Sequence, residues 1–148
     1  MNRALSASLL DTLLTATTAV PLAEARGVSA SAGMPSVRND QCFVGSSYIL
    51  QNCGGSDWFT IPLPVDNMGW KSVTVNVTGD PATNQIGCQA AAYDQNGYPV
   101  STSPTVYLGT RGTQNIYLPS IYVPAAGTVS VSCRMWTSSM INTVNWNE

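Results

Sequence analysis

The chain has 148 residues, with six Lys or Arg, eight Asp or Glu and no histidine, and its formal net charge is −2 at pH 7. Charged residues make up 9% of the sequence, well below the roughly 25% of an average soluble domain. The absence of histidine excludes Ser-His-Asp and Cys-His nucleophiles and imidazole metal ligands. The small net negative charge gives no sign of the basic surface that binds nucleic acid. A length near 150 with 44% hydrophobic residues indicates one folded domain.

Residues 1–25 are predicted to be a signal peptide. Arg3 gives the segment a positive start, residues 4–22 are mostly small or apolar, and Ala23-Glu24-Ala25 has the small-x-small pattern of a cleavage site. Ala30-Ser31-Ala32 repeats that pattern a few residues later. The segment is too short and too polar for a membrane span, and no other apolar run approaches the roughly 18 residues that a span needs. We therefore expect a secreted or periplasmic protein with no membrane insertion.

The next segment, residues 26–40, is small and polar without any period, which predicts a flexible leader. Such a leader could add as a strand to an open sheet edge of another molecule. Residues 41–148 are predicted to form the folded domain.

The first half of the domain is predicted to hold short strands over residues 43–51 and 58–63. Pro62 and Pro64 place the second of these at a sheet edge, because proline cannot donate to a central ladder. Residues 71–78 alternate valine with Ser, Thr or Asn, which is the period of a half-buried strand.

A turn is predicted at Asn96-Gly97, where both central residues of the favoured hairpin turn need positive φ. Asp94 opens a short sequence that weakly resembles the start of a calcium loop, but the later ligands and the bidentate Glu are missing. We interpret the segment as a hairpin turn and predict no metal site.

The second half continues the pattern with short strands over residues 116–118, 127–135 and 140–146, the last with a bulge. Pro119 and Pro124 frame the intervening residues. About eight short strands with turn signals every 8–12 residues, and no helical period, predict an all-β fold, an antiparallel β-sandwich.

The four cysteines, Cys42, Cys53, Cys88 and Cys133, allow three disulfide connectivities in an exported protein. Cys88 and Cys133 each share a strand face with apolar neighbours, so both are expected to point into the core. Cys42 and Cys53 flank the first strand and its turn. We therefore predict Cys42–Cys53 and Cys88–Cys133, with the second bond either within one sheet or between two. Chain-entropy reasoning assigns about 3 and 4 kcal/mol of stabilisation to the two loops.

The order of motifs resembles a loose group of small, exported bacterial proteins of unknown function. The similarity rests on Cys42, Pro62-Leu63-Pro64-Val65-Asp66, the alternating valines at 73, 75 and 77, Cys88, Cys133 and the final residues 138–148. The resemblance implies a secreted β-domain and implies no activity.

No catalytic residues and no cofactor are predicted. Nearly all of the acidic residues of the domain are aspartates in turn contexts, where a side chain that caps the local backbone is the simple explanation. These aspartates are Asp40, Asp57, Asp66, Asp80 and Asp94. The sequence therefore favours a protein that is not an enzyme.

Two functions remain open. The first is a secreted structural or interaction domain that contacts another protein. The alternative is a carbohydrate-binding or adhesive module, in which exposed aromatic rings stack on a neutral glycan. Trp70 and Tyr98 each follow a predicted turn and are the aromatic residues most expected to be exposed, so they are the candidate ligand-binding residues.

Overall fold

Two antiparallel sheets stack face to face in the computed structural model of the protein, which describes residues 25–35 and 40–148. The predicted all-β sandwich with two disulfides is confirmed. The predicted signal peptide lies outside the described residues except for Ala25. Within the described ranges, no helix has the length and apolarity needed to cross a membrane.

In chain order, the strands are β1 (Ala25–Ser29), β2 (Met34–Pro35), β3 (Phe43–Val44), β4 (Ile49–Gln51), β5 (Ser56–Leu63), β6 (Gly69–Gly79), β7 (Ile86–Tyr93), β8 (Pro99–Thr102), β9 (Val106–Tyr107), β10 (Gly112–Val123), β11 (Thr128–Trp136) and β12 (Met140–Asn147). Single 3-10 turns cover Ala30–Ala32 and Asp40–Cys42.

The front sheet has the strand order β10-β6-β12-β4-β3, with β1 paired to β12 beside β4. The back sheet has the order β2-β5-β11-β7-β8, with β9 paired to β7. The core lies between the sheets because each long strand turns its apolar residues inward. Val73, Val75 and Val77 of β6 are buried in this way, and their polar neighbours face outward, as the alternation predicts.

Residues 26–40 are predicted to be a flexible leader, but the start of this segment forms a strand. Ala25–Ser29 forms β1, whose residues lie opposite residues 147 to 143 of β12, and Ala30 is fully buried. The cause is the short strand β4, which pairs with only Met140 and Ile141 and leaves the rest of that edge of β12 open. The leader thus completes the sheet of its own chain. Residues 36–39 lie outside the described part.

Strand β10 also runs further than the prolines suggest. It continues through Pro119, and the register with β6 shifts between Leu118 and Ile121, where Pro119 and Ser120 form a bulge. The bulge changes the parity of the strand, so Tyr122 faces outward although Leu118, four residues earlier, faces inward.

The hairpin predicted at Asn96-Gly97 joins β7 to β8, but the turn type differs from the prediction. Only Gly97 has a positive φ, of 83°. The amide of Gly97 donates to the carbonyl of Asp94, and the amide of Asp94 donates to the carbonyl of Tyr98. This is a three-residue loop in which glycine takes the left-handed position, so Asn96 needs no positive φ.

The predicted disulfide connectivity is confirmed. Cys42–Cys53 closes the β3–β4 hairpin, and Cys88–Cys133 joins β7 to β11. Cys88 and Cys133 lie directly opposite each other in the ladder, so this bond lies within the back sheet and does not join the two sheets.

Pro62 lies in β5 beyond the two residues that pair with β2, which agrees with its predicted place near a sheet edge.

Candidate functional site

The outer face of the front sheet carries no charged side chain in its three longest strands. Its side chains are those that alternate with the buried residues of β6, β10 and β12. We call this surface the polar face. It consists of Trp70, Ser72, Thr74, Asn76, Thr78, Thr113, Asn115, Tyr117, Ser120, Tyr122, Asn142, Thr143, Asn145 and Asn147.

Hydrogen bonds between strands fix the amide groups of the polar face. Asn76 lies opposite Asn115 in the β6–β10 ladder, and its Nδ2 donates to Asn115 Oδ1 at 2.8 Å. Asn142 Nδ2 donates in turn to Asn76 Oδ1 at 2.8 Å. The hydroxyls of Thr78 and Thr113 lie 2.8 Å apart across the same ladder. These side chains are thus held in defined positions before any ligand arrives, which lowers the entropy cost of binding.

Aromatic rings stand out from the polar face at its β10 side. Trp70 is 66% exposed and Tyr117 is 70% exposed. The rings of Trp70 and Tyr122, which lie opposite each other in the ladder, meet edge to face with their centroids 5.7 Å apart. Tyr117 lies opposite Thr74, four residues along β6 from Trp70, which is about 13 Å at the usual rise of a strand. The face therefore presents two separate aromatic surfaces on one line.

A shallow depression of about 230 Å³ lies beside these rings, between β6 and the β12–β1 pair. Ser72, Thr74, Asn145 and Asn147 contribute to its walls. Asn145 reaches across β1 because Gly27 has no side chain there, since a Cβ on Gly27 would lie 2.5 Å from Asn145 Oδ1. Ala25 and Trp146 complete the lining, and the open groove presents mostly apolar surface with a few hydroxyl and amide groups.

The structure leaves both candidate residues exposed but places them on different sheets. Trp70 lies on the polar face, whereas Tyr98, 69% exposed, lies in the β7–β8 turn of the back sheet. The two sheets approach each other nearby, where the amide of Tyr122 donates to Ser101 Oγ at 3.2 Å, three residues from Tyr98.

Sequence reasoning did not single out Tyr117 or Tyr122. The alternation of Ile116 and Leu118 already indicates that Tyr117 faces outward. Ile121 and Val123 give the same local signal for Tyr122, but the bulge breaks the continuity of this alternation with that of Ile116 and Leu118.

The aspartates whose side chains are described serve the local structure. Asp57, Asp80 and Asp94 accept hydrogen bonds from backbone N–H groups within four residues, and Asp66 pairs with Arg26. The interpretation of the Asp94 segment as a hairpin turn is confirmed. Each of these carboxylates therefore has a structural role that explains its presence at that position.

No family model matches the chain, and no curated protein shows significant sequence similarity to it. Among solved structures, the fold is similar to the GH26-CBM35 β-(1,4)-mannanase of Podospora anserina, with a TM-score of 0.53 and 11% identity. That match covers 84% of this chain but 28% of the mannanase, so the chain spans little more than a quarter of that protein.

Two further structures show the same likeness. The C-terminal CBM6 of LamC, a laminarinase of Zobellia galactanivorans, matches with a TM-score of 0.50 and 11% identity, over 84% of this chain and 100% of that module. A cycloisomaltooligosaccharide glucanotransferase of Paenibacillus sp., complexed with cycloisomaltoheptaose, matches with a TM-score of 0.52 and 11% identity, over 80% of this chain and 18% of the enzyme. At such identities the likeness shows the fold alone, an antiparallel β-sandwich.

Proposed function

We propose that this domain is a non-catalytic carbohydrate-binding module that holds a neutral glycan against the polar face. The observation that carries the proposal is the exposure of Trp70 and Tyr117 on a surface of fixed, uncharged amide and hydroxyl groups.

The chemistry of the polar face matches that of a sugar. A pyranose ring offers an apolar C–H face, which packs on an aromatic ring, and a rim of hydroxyls, which hydrogen-bond to neutral polar groups. An uncharged surface also avoids the cost of desolvating a charged group beneath a neutral ligand. Tyr122 supports the Trp70 ring edge-on, so the indole has less freedom to lose on binding.

The fold supports the same proposal, since a complete CBM6 module has a similar sandwich. The sequence alone gives priority to a structural or interaction domain, and a contiguous exposed aromatic patch is the feature that favours the glycan alternative. Trp70 and Tyr122 form such a patch. The local roles of the aspartates support a function in binding without catalysis. The predicted signal peptide and the two disulfides support an extracellular setting.

Affinity electrophoresis and calorimetry with neutral polysaccharides would test the proposal, using β-mannan, laminarin, dextran and cellulose oligosaccharides. We expect Trp70→Ala and Tyr117→Ala each to weaken binding about tenfold, the usual effect of removing an anchoring aromatic. Tyr48→Ala is the matched control, because Tyr48 is an exposed tyrosine between β3 and β4, at the edge of the front sheet away from β10. Binding that neither variant weakens, or no binding to any of these glycans, would contradict the proposal.

Tyr98 is tested separately, as a residue at the end of the sandwich. If the bound glycan extends from Trp70 past Ser101, Tyr98→Ala should weaken the binding of long oligosaccharides and leave that of disaccharides unchanged. No weakening at either length would place Tyr98 outside the site, and equal weakening at both lengths would contradict this extended arrangement.

A further inference from the structure

The outer face of the back sheet carries a second group of aromatic side chains, arranged around one cation. Arg134 of β11 lies directly opposite Trp58 of β5 on one side and Gly87 of β7 on the other. Trp136 lies two residues along the same strand, and the guanidinium carbon of Arg134 is 4.8 Å from its ring centroid.

The ring of Tyr107 lies over Gly87, on the β7 side of Arg134. Gly87 pairs with Tyr107 of β9, and a Cβ on Gly87 would lie 2.4 Å from both Cδ1 and Cε1 of that ring. The ring thus occupies the space that a side chain at position 87 would fill, next to Arg134. We call Arg134, Trp58, Trp136 and Tyr107 the arginine patch.

The guanidinium of Arg134 is held in place but keeps its pairing edge free. Its Nε donates to Ser56 Oγ at 3.1 Å. Among the described residues, no carboxylate lies within ion-pairing distance of it, and its two terminal nitrogens donate to no protein acceptor. The other cations whose side chains the structure describes each pair with an acidic side chain; these are Arg26, Lys71 and Arg111.

From this arrangement we infer that the arginine patch binds a carboxylate-bearing sugar, such as a uronate residue of an acidic polysaccharide. The free edge of a guanidinium fits a carboxylate through two parallel N–H···O bonds. The rings beside the guanidinium offer a stacking surface for the pyranose of the same sugar.

The neighbouring row of the back sheet favours a sugar over an acidic peptide. The hydroxyls of Thr60 and Ser132 lie 2.9 Å apart, and Thr105 Oγ1 donates to Gln89 Oε1 at 3.0 Å. These uncharged groups lie where the hydroxyls of an adjoining sugar would need partners. Because the chain has a net charge of −2, long-range electrostatic attraction does not draw an acidic polymer to it. Binding must therefore come from local contacts.

This inference goes beyond the proposed function, because it concerns the other sheet and another class of ligand. Calorimetry with oligogalacturonate and with its methyl ester would test it, since the ester keeps the sugar and removes the charge. We expect the acid to bind and the ester to bind about 10- to 100-fold more weakly, as is usual for losing hydrogen bonds to a charged group.

The protein variants separate the geometry of the site from its charge. Arg134→Gln should weaken binding of the acid to the level of the ester, and Arg134→Lys should restore little of it, since an ammonium cannot give the two parallel bonds. Arg111→Gln removes the same charge from a highly exposed arginine elsewhere on the molecule and should leave binding unchanged. Unaltered thermal unfolding midpoints would show that each variant is folded.

Three outcomes would contradict the inference: no binding of the acid at millimolar concentration, equal binding of the ester, or a loss of binding in Arg111→Gln as large as that in Arg134→Gln. Trp70→Ala separates the two sites. Loss of neutral glycan binding with intact uronate binding in that variant supports both, and uronate binding without any neutral glycan binding contradicts only the proposed function.

Discussion

The ammonium group of Lys71 lies 3.0 Å from the carboxylate of Glu148, and their side chains are only 3% and 5% exposed. Lys71 occupies an inward position of β6, in series with the buried valines. Glu148 also accepts hydrogen bonds from Trp146 Nε1 and from the amide of Asp66. The pair therefore fastens the residue after β12 to the start of β6, beside the polar face.

Removing one partner of this pair should strongly destabilise the fold. Lys71→Met leaves a buried carboxylate without its main partner, and we expect the free energy of unfolding to fall by about 3–5 kcal/mol. Urea titration would measure it. In the Lys71→Met/Glu148→Gln double variant the loss should be smaller than the sum of the two single losses. Additive losses would show that the two side chains do not interact.

The same pair predicts how stability depends on pH. Burial acts to raise the pKa of Glu148, but hydrogen bonds from Lys71, Trp146 and the Asp66 backbone outweigh it and hold the pKa below its ordinary value of 4.5. The contribution of Glu148 is therefore complete above pH 4.5 and is lost as the pH falls through the lower pKa of the folded state. The difference in unfolding free energy between the wild type and Glu148→Gln should shrink in that acidic range. A difference that stays constant down to pH 2 would contradict this assignment.

The two disulfides should contribute unequally to stability. Replacing Cys88 and Cys133, which close a loop of 45 residues, should cost about 4 kcal/mol, against about 3 kcal/mol for Cys42 and Cys53, whose loop spans 11. Denaturant unfolding of the two paired alanine variants checks the order. The opposite order would mean that loop entropy does not govern the difference.

Gly87→Ala should disturb the arginine patch without touching Arg134. The new methyl group would displace the Tyr107 ring, so we expect weaker uronate binding. Neutral glycan binding on the front sheet should remain. Gly54→Ala is a suitable control, because a Cβ at that position meets nothing within 4 Å. Unchanged uronate binding in Gly87→Ala would show that the ring position is unimportant.

Local pattern predicted much of this fold because period-2 alternation marks the buried face of a strand directly. It identified Val73, Val75 and Val77 and gave Cys88 and Cys133 their inward direction. Strand β1 was missed, since its small and polar residues carry no alternation and it forms only because β12 leaves an edge open.

The candidate site was predicted only in part for a similar reason. Exposure of Trp70 follows from its place after a turn, but its contact with Tyr122 joins residues 52 positions apart and depends on the bulge at Pro119 and Ser120. The residues that surround Arg134 likewise depend on the registers in which β5, β7 and β9 pair. Pairing between distant strands leaves no local trace in the sequence.

The polar face and the arginine patch lie on the outer faces of opposite sheets, with the whole core between them. A glycan segment lying flat on the outer face of one sheet is therefore separated by the core from a segment on the outer face of the other. A domain with both surfaces occupied would therefore join two separate polymers, one neutral and one acidic. Such a domain would act as a cross-link, and mixing it with both polysaccharides should raise their viscosity more than mixing it with either alone.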